Sequence, residues 1–344
     1  MYHFCTYFDH RYLPRGLALY RSLEQHCPSF LLWVLCMDRA CYDALSQIKL
    51  SNVRLIALEE FEAGDKELLA AKENRTLIEY YFTCTPSLPL FIFAASPEVG
   101  RVTYLDADLF FFGNPQPIFE EIGDHSVAII GHRFPSFLKH HEEYGIYNVG
   151  WLSFKRDEHT FTCLHWWRKQ CIEWCYDRVE DGRFADQRYL DTWPERIPSL
   201  VVLRHKGANL APWNVSNYKI DADGGRIWVD EDPLIFFHFH GLKQLNTWLY
   251  DPSWVDYRVK VSRSLLRNIY APYFANLVNV GEELLPFFRR ASLGSAIRFQ
   301  PMQTATSQQV SPLRRIARGL RWRLHLCREI LAGNYLVVIN GCVL

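Results

Sequence analysis

Residues 2–57 alternate short apolar runs with helical patterns: YHFCTYF, then Pro14 to His26, FLLWVLCM, then Arg39 to Ile48, then VRLIAL. Strands that alternate with helices in this way are βαβ units, whose crossovers call for a parallel sheet covered by helices. The pattern predicts an α/β fold with a Rossmann-like sheet. With 344 residues, 49% of them hydrophobic, the chain has core enough for one large domain of this kind or two ordinary ones. Residues 66–95 read as helical, with Pro86 and Pro89 forcing a break or kink. Further strands are predicted at SVAIIGH, YNVGWLSF, VVLR, YKI, RIWV and LIFFHFH, with a long helix from Glu158 to Arg178 and a turn at EDGRF.

The run RVTYLDADLFFF, Arg101 to Phe112, carries the chemistry. An apolar strand ends in two carboxylates, Asp106 and Asp108. Residues two apart on a strand share a side, so both acids are expected to face one point past its C-terminal end, where open α/β sheets hold ligands. Paired carboxylates suit a hard divalent cation, Mn²⁺ or Mg²⁺, whose shell is generally completed by substrate phosphates. The chain has neither GxGxxG nor a P-loop, so phosphates bound here need a metal.

A second constellation is LIFFHFHGLK. His238 and His240 alternate on a strand and share a face, Gly241 permits close backbone approach, and Lys243 is available to a phosphate. His238 reads as a third, nitrogen ligand, although the segment taken alone favours a pair of half-buried strand histidines. A zinc reading of Cys163, His165, Cys171 and Cys175 is declined. The apolar stripe Cys163, Trp167, Cys171, Trp174, Cys175 makes these cysteines core residues of a helix.

In combination these residues resemble a nucleotide-sugar-dependent glycosyltransferase of the GT-A fold, close to the retaining family that includes glycogenin and bacterial lipooligosaccharide galactosyltransferases. Four anchors occur in that family's order over residues 1 to about 245. YLDAD is similar to its metal and diphosphate motif. YNVGWLSF resembles its sugar-contacting strand, through Asn148. FADQRYLD resembles its Asp-Gln motif, through Asp186 and Gln187. HFHG is similar to its late metal-ligand motif, through His238 and Gly241, and Trp213-Asn214 resembles a pair the family carries between the last two anchors.

The resemblance implies further roles. Thr6, Tyr7, Phe8 and Asp9 fall where the family cradles the base, Asp9 matching an acid that reads a uracil edge, so UDP is favoured. His132 and Arg133, in IIGHRF, fall where it places donor-sugar contacts. Lys243 would take a phosphate, although it follows His238 by five residues where the family spaces them by six. Glu180 and Asp181 are runner-up carboxylates in a Gly-containing turn.

The formal net charge of zero hides an asymmetry. Nine of the 38 basic residues, all Arg, and one of the 38 acids lie from Arg289 onward, so the tail carries +8 and the rest −8. In LRRIARGLRWRLHLCREIL, apolar residues recur at Leu313, Ile316, Ala317, Leu320, Leu324, Cys327 and Leu331, while Arg314, Arg315, Arg318, Arg321 and Arg328 fill the other face. That is the makeup of an interfacial helix with an anionic membrane surface as partner; the clean stripe argues against nucleic acid, and packing on the body or a partner is the competing reading. The expected organisation is a catalytic domain over 1–288, a linker over 289–312, and a basic amphipathic helix and tail over 313–344. No window reaches the ~18 apolar residues of a membrane span, the first residues lack a signal-peptide order, and the ten cysteines include no CxxC pair, so the expected location is the cytoplasm, peripheral at the inner face of its membrane.

The expected function is metal-dependent transfer of a sugar from a nucleotide diphosphate donor to a lipid-linked or polysaccharide glycan, in cell-envelope polysaccharide assembly. Asp186, Gln187 and Asn148 would line the sugar. A metal-dependent phosphohydrolase acting on nucleotide sugars and a non-catalytic nucleotide-sugar or glycan binder are the alternatives.

Overall fold

The computed structural model describes residues 1–290, 330 and 332–343. They form two compact units, Met1–His238 and Phe239–Leu344. The boundary falls inside the HFHG run, within the stretch read above as one domain.

The first unit opens as the periodicity predicts: β1 (Tyr2–Phe8), α1 (Leu13–His26), β2 (Phe30–Cys36), α2 (Arg39–Ile48) and β3 (Val53–Ala57). Two short helices, α3 (Leu58–Glu62) and α4 (Lys66–Lys72), precede α5 (Leu77–Cys84) and α6 (Ser87–Ala95). The last two are bent by 48° where Pro86 interrupts the pattern. Caps set several of these starts: Asp38 accepts from the Cys41 N–H at 2.8 Å to begin α2, and Thr76 with Glu79 forms a capping box on α5.

Next come β4 (Arg101–Leu105), β5 (Leu109–Phe111), α7 (Gln116–Ile122), β6 (Val127–Gly131), a 3₁₀ segment Ser136–Tyr144, β7 (Tyr147–Lys155) and α8 (Glu158–Glu173). The unit closes with α9 (Trp193–Arg196), β8 (Leu200–Leu203), β9 (Ile220–Asp223), β10 (Arg226–Val229), β11 (Asp232–Pro233) and β12 (Phe236–His238). Helix α8 stops at Glu173, short of the expected Arg178. Trp174 is extended there, yet Trp174 and Cys175 stay buried, so the apolar stripe outlasts the helix. Cys163 and Cys171 are buried, as a core stripe requires.

The main sheet runs β3-β2-β1-β4-β7-β6-β8. Strands β1 to β4 are parallel, as βαβ winding dictates, but β7 pairs antiparallel with both β4 and β6. A strand buried on both faces, as β7 is, carries no periodic mark of its direction. One face of the sheet packs Trp33, Leu35, Tyr104, Leu152 and Phe154 with Trp167 and Trp193. A separate aromatic cluster joins Phe4, Phe111, Phe119, Trp151 and Phe236, with Trp151 and Phe236 stacked at 5.3 Å.

The second unit holds β13 (Lys243–Gln244), β14 (Leu249–Asp251), α10 (Arg263–Leu265), α11 (Ala271–Arg290), β15 (Leu336–Ile339) and β16 (Cys342–Val343), the four strands forming one sheet in that order. The predicted basic stripe from Leu313 to Leu331 and the linker beyond Arg290 lie outside the described residues. The chain's last described segment is thus a strand pair added to β14. Among the described residues, no single helix is long and apolar enough to cross a membrane.

Candidate active site

Asp106, Ala107 and Asp108 form a turn, not the end of one continuous strand as the sequence reading had it. Strand β4 stops at Leu105 and β5 starts at Leu109, with the Leu109 N–H donating to the Asp106 carbonyl at 3.2 Å. The turn holds both acids at the C-terminal end of β4, where the sequence expected them to face one point. Strand β12 pairs antiparallel with β5, His238 opposite Leu109, and this delivers the imidazole to the acid pair. His238 Nε2 lies 3.0 Å from Asp108 Oδ1 and 3.6 Å from Asp106 Oδ2. One ligand atom from each of the three residues lies within 4.8 Å of the others.

Two hard carboxylate oxygens and one imidazole nitrogen are a donor set that fits Mn²⁺ or Mg²⁺. The electrostatics agree. Burial alone would lower the His238 pKa, but Asp108 and then Asp106 override it, and the net shift is upward. Burial raises Asp106 to about 6; the His238 charge works against that shift, Asp108 adds to it, and the Tyr104 hydroxyl opposes it. Tyr104 donates to Asp106 Oδ1 at 2.9 Å. His240 is exposed beyond the end of β12, so it does not share a strand face with His238.

Strand β7 supplies the next wall. Asn148 Nδ2 donates to Gln187 Oε1 at 3.2 Å and to His132 Nε2 at 3.3 Å, while its Oδ1 accepts from the Gly150 N–H at 3.1 Å. The donation to Nε2 assigns the His132 proton to Nδ1, which faces the Ile146 carbonyl at 3.3 Å. Gln187 also accepts from the Val149 N–H and donates to the Tyr144 carbonyl, so both ends of its amide are fixed. A Cβ on Gly150 would lie 2.6 Å from Asn148 Oδ1 and 2.9 Å from the His238 ring. Glycine is therefore what lets the imidazole sit against this strand.

Asp186 is 4% exposed and enters from the loop after α8. Its neighbour Ala185 adopts φ 45°, a left-handed conformation uncommon for a side-chain-bearing residue. The Asp186 carbonyl accepts from Trp167 Nε1 at 2.8 Å. Burial raises its carboxyl to about 7, the nearby Asp106 charge adding to the shift and the Thr85 hydroxyl opposing it. The FADQ motif thus supplies a buried, near-neutral acid and an amide locked to Asn148.

Trp213 packs edge-on to both His132 and His238, at 5.1 and 5.0 Å between ring centroids. Asn214 holds the turn around it, donating to the carbonyls of His132 and Asn209 and accepting from the Ala211 N–H. The Arg133 guanidinium donates to the carbonyls of His205 and Ala208, so it ties the 205–208 loop. Glu180 and Asp181 pair with Arg178 and Arg183 in an exposed turn.

At the end of β1, Thr6 is fully buried and Phe8 packs under α1. Tyr7 shares a hydrogen bond with Thr85 at 3.0 Å and packs on Tyr81 and Tyr104. Asp9 accepts from the N–H groups of Arg11 and Tyr12, from Arg11 Nε at 3.1 Å and from the Tyr81 hydroxyl at 3.3 Å. Lys243 lies in the second unit, opposite Asp251 on β14.

Tyr104, Thr85 and Gly150 escaped the sequence reading. Tyr104 stands two residues before Asp106 and Gly150 two after Asn148, so strand alternation held a signal for both. Thr85 lies in the bent helical stretch, where nothing local marks it.

The solved structure of the glycosyltransferase GlyE from Streptococcus pneumoniae TIGR4 superposes with a TM-score of 0.50 at 16% identity, covering 84% of this chain and 64% of GlyE. The chain thus has the GT-A fold. No protein-family model matches it. The chain belongs to the family of the uncharacterized protein YfnD of Bacillus subtilis (strain 168), to which it is 33% identical over 290 residues, covering 83% of this chain and 92% of YfnD. YfnF of the same organism is 35% identical over 248 residues, covering 70% of this chain and 81% of YfnF.

Proposed function

We propose that this chain is a metal-dependent glycosyltransferase that moves a sugar from a nucleotide diphosphate donor to a lipid-linked or polysaccharide glycan of the cell envelope. One observation carries the reading: Asp106, Asp108 and His238 converge directly beside the Asn148–Gln187 amide pair on a GT-A fold. A divalent cation, Mn²⁺ or Mg²⁺, held by those three residues supplies charge neutralisation to a diphosphate leaving group. Asn148, Gln187, His132 and Asp186 line the donor sugar. Asp186, near neutral through burial, can donate to a sugar hydroxyl as well as accept, and it lies close enough to Asp106 to feel its charge.

UDP is the favoured nucleotide. Asp9 stands where the resembled family places an acid that reads the uracil edge, and the Arg11 and Tyr81 side chains fix its carboxylate at the end of β1. The resemblance favours a retaining reaction, which needs no strong enzymic base; an inverting reaction would need Asp181 or Asp186 to deprotonate the acceptor. The proposed location is the inner face of the cytoplasmic membrane, on the strength of the Arg-rich tail.

The test is a screen of nucleotide sugars with Mn²⁺ by thermal shift, followed by turnover with and without a glycan acceptor. Asp108→Asn is expected to cut metal-dependent turnover by at least about 100-fold, since one ligand charge is lost at the reacting centre, while the unfolding transition stays intact. Unchanged turnover would reject the metal assignment. Release of phosphate or nucleotide at the same rate with and without acceptor would favour the phosphohydrolase.

A further inference from the structure

Strands β1 and β4 are neighbours, Phe4 opposite Thr103 and Cys5 opposite Tyr104, while the chain leaves β1 outward to β2 and β3. Where the winding reverses, the loops after two adjacent strands diverge and a crevice opens past their C-terminal ends. The β1–α1 turn and the acid turn after β4 therefore border one crevice. The acid side of it is described above; the opposite lip is the first turn of α1, Leu13–Gly16, which contains no acid.

Helix α1 is pinned at two points. A Cβ on Gly16 would lie 2.3 Å from the Phe8 ring, so glycine lets the helix start settle directly on the end of β1. Further along, Ser22 Oγ accepts from the Phe111 N–H at 3.0 Å, in the strand that begins one residue after Asp108. Within this fixed turn, Arg15 Nη1 donates to the Tyr12 hydroxyl at 2.7 Å, and the guanidinium lies 4.5 Å from the Tyr12 ring centroid. The charges of Asp108 and Asp106 act on that same hydroxyl, which sets Tyr12 and the guanidinium it orients in the field of the acid pair.

The charge balance asks for a cation here. Asp106 and Asp108 already match the two charges of a divalent ion, so an incoming diphosphate brings negative charge that the ligand set does not cancel. A planar guanidinium, pre-oriented by an aromatic ring and a hydroxyl, is the group best shaped for phosphate oxygens. We propose that Arg15 binds the diphosphate of the donor from the α1 side of the crevice; this rests on the glycosyltransferase reading. Lys243, the residue expected from sequence to take a phosphate, belongs to the second unit, whereas Arg15 shares the first unit with the metal ligands.

The experiment is titration calorimetry in MnCl₂ with UDP and with inorganic pyrophosphate, on wild type, Arg15→Ala, Arg15→Lys and Tyr12→Phe. Arg15→Ala is expected to weaken both probes by about 10- to 100-fold, the range a charge-assisted hydrogen bond represents. Arg15→Lys restores part of the loss, and Tyr12→Phe, which keeps the charge, loses less pyrophosphate affinity than Arg15→Ala. Full affinity in Arg15→Ala overturns the inference. So does a loss confined to UDP, because an effect transmitted through Tyr12 to the nucleoside end would spare pyrophosphate. A wild type that binds neither UDP nor GDP, CDP or dTDP overturns the proposed function and this inference with it.

Discussion

Asp186 illustrates what a single buried acid costs and what it offers. In the unfolded chain its carboxyl ionises near 3.8, in the folded chain near 7. Between those values the unfolded state has released a proton that the folded state retains, so folding stability falls as pH rises from about 4 to about 7 and then levels off. A shift of that size corresponds to at most about 4 kcal/mol. Asp186→Asn is therefore expected to be more stable than wild type at pH 8, by up to that amount, and to gain little at pH 4, while losing turnover. Urea denaturation in EDTA at the two pH values checks this. An equal difference between the proteins at both would show that the acid is not held neutral by burial. The stability given up at this position fits a residue kept for chemistry.

At the scale of elements, β7 is where packing and chemistry meet. Gly150→Ala would drive a methyl group into Asn148 Oδ1 and the His238 ring, both closer than 3 Å, and neither neighbour is the far end of a flexible chain. The expected cost is about 1–3 kcal/mol in stability and a measurable loss of Mn²⁺ affinity, read by denaturation and calorimetry. Unaltered Mn²⁺ affinity would mean that His238 is not held by this strand. Much of this was legible in the residues. The periods of YHFCTYF and FLLWVLCM mark β1 and β2, and Asp106, Asp108, His238, Asn148 and Gln187 stand in motifs that the structure brings together. Three things were not legible. The direction of β7 is set by its partners, because a strand buried on both faces looks the same both ways. The turn at Asp106–Asp108 is hidden by the apolar residues that resume at once in β5. Arg15 meets its site through tertiary placement of α1, which no local spacing reveals.

For the whole molecule, the open matter is the basic tail. Deleting everything from residue 310 would also remove β15 and β16, which pair with β14, so truncation confounds membrane contact with loss of a sheet. Replacing Arg314, Arg315, Arg318 and Arg321 with Gln is the cleaner test, since Gln is a comparable helix former and the apolar stripe is untouched. The variant is expected to lose most of its sedimentation with anionic vesicles, and the wild type to lose it as salt rises from about 0.1 M to 1 M. Equal sedimentation of variant and wild type would place any membrane contact elsewhere.

The pairing of β12 with β5 has a consequence for how the protein comes into being. On the ribosome the two carboxylates emerge long before their imidazole partner, and a chain stopped anywhere ahead of Phe236 carries an acid pair without its nitrogen. The full candidate ligand set thus exists only in a chain made through His238, the last residue of the first unit.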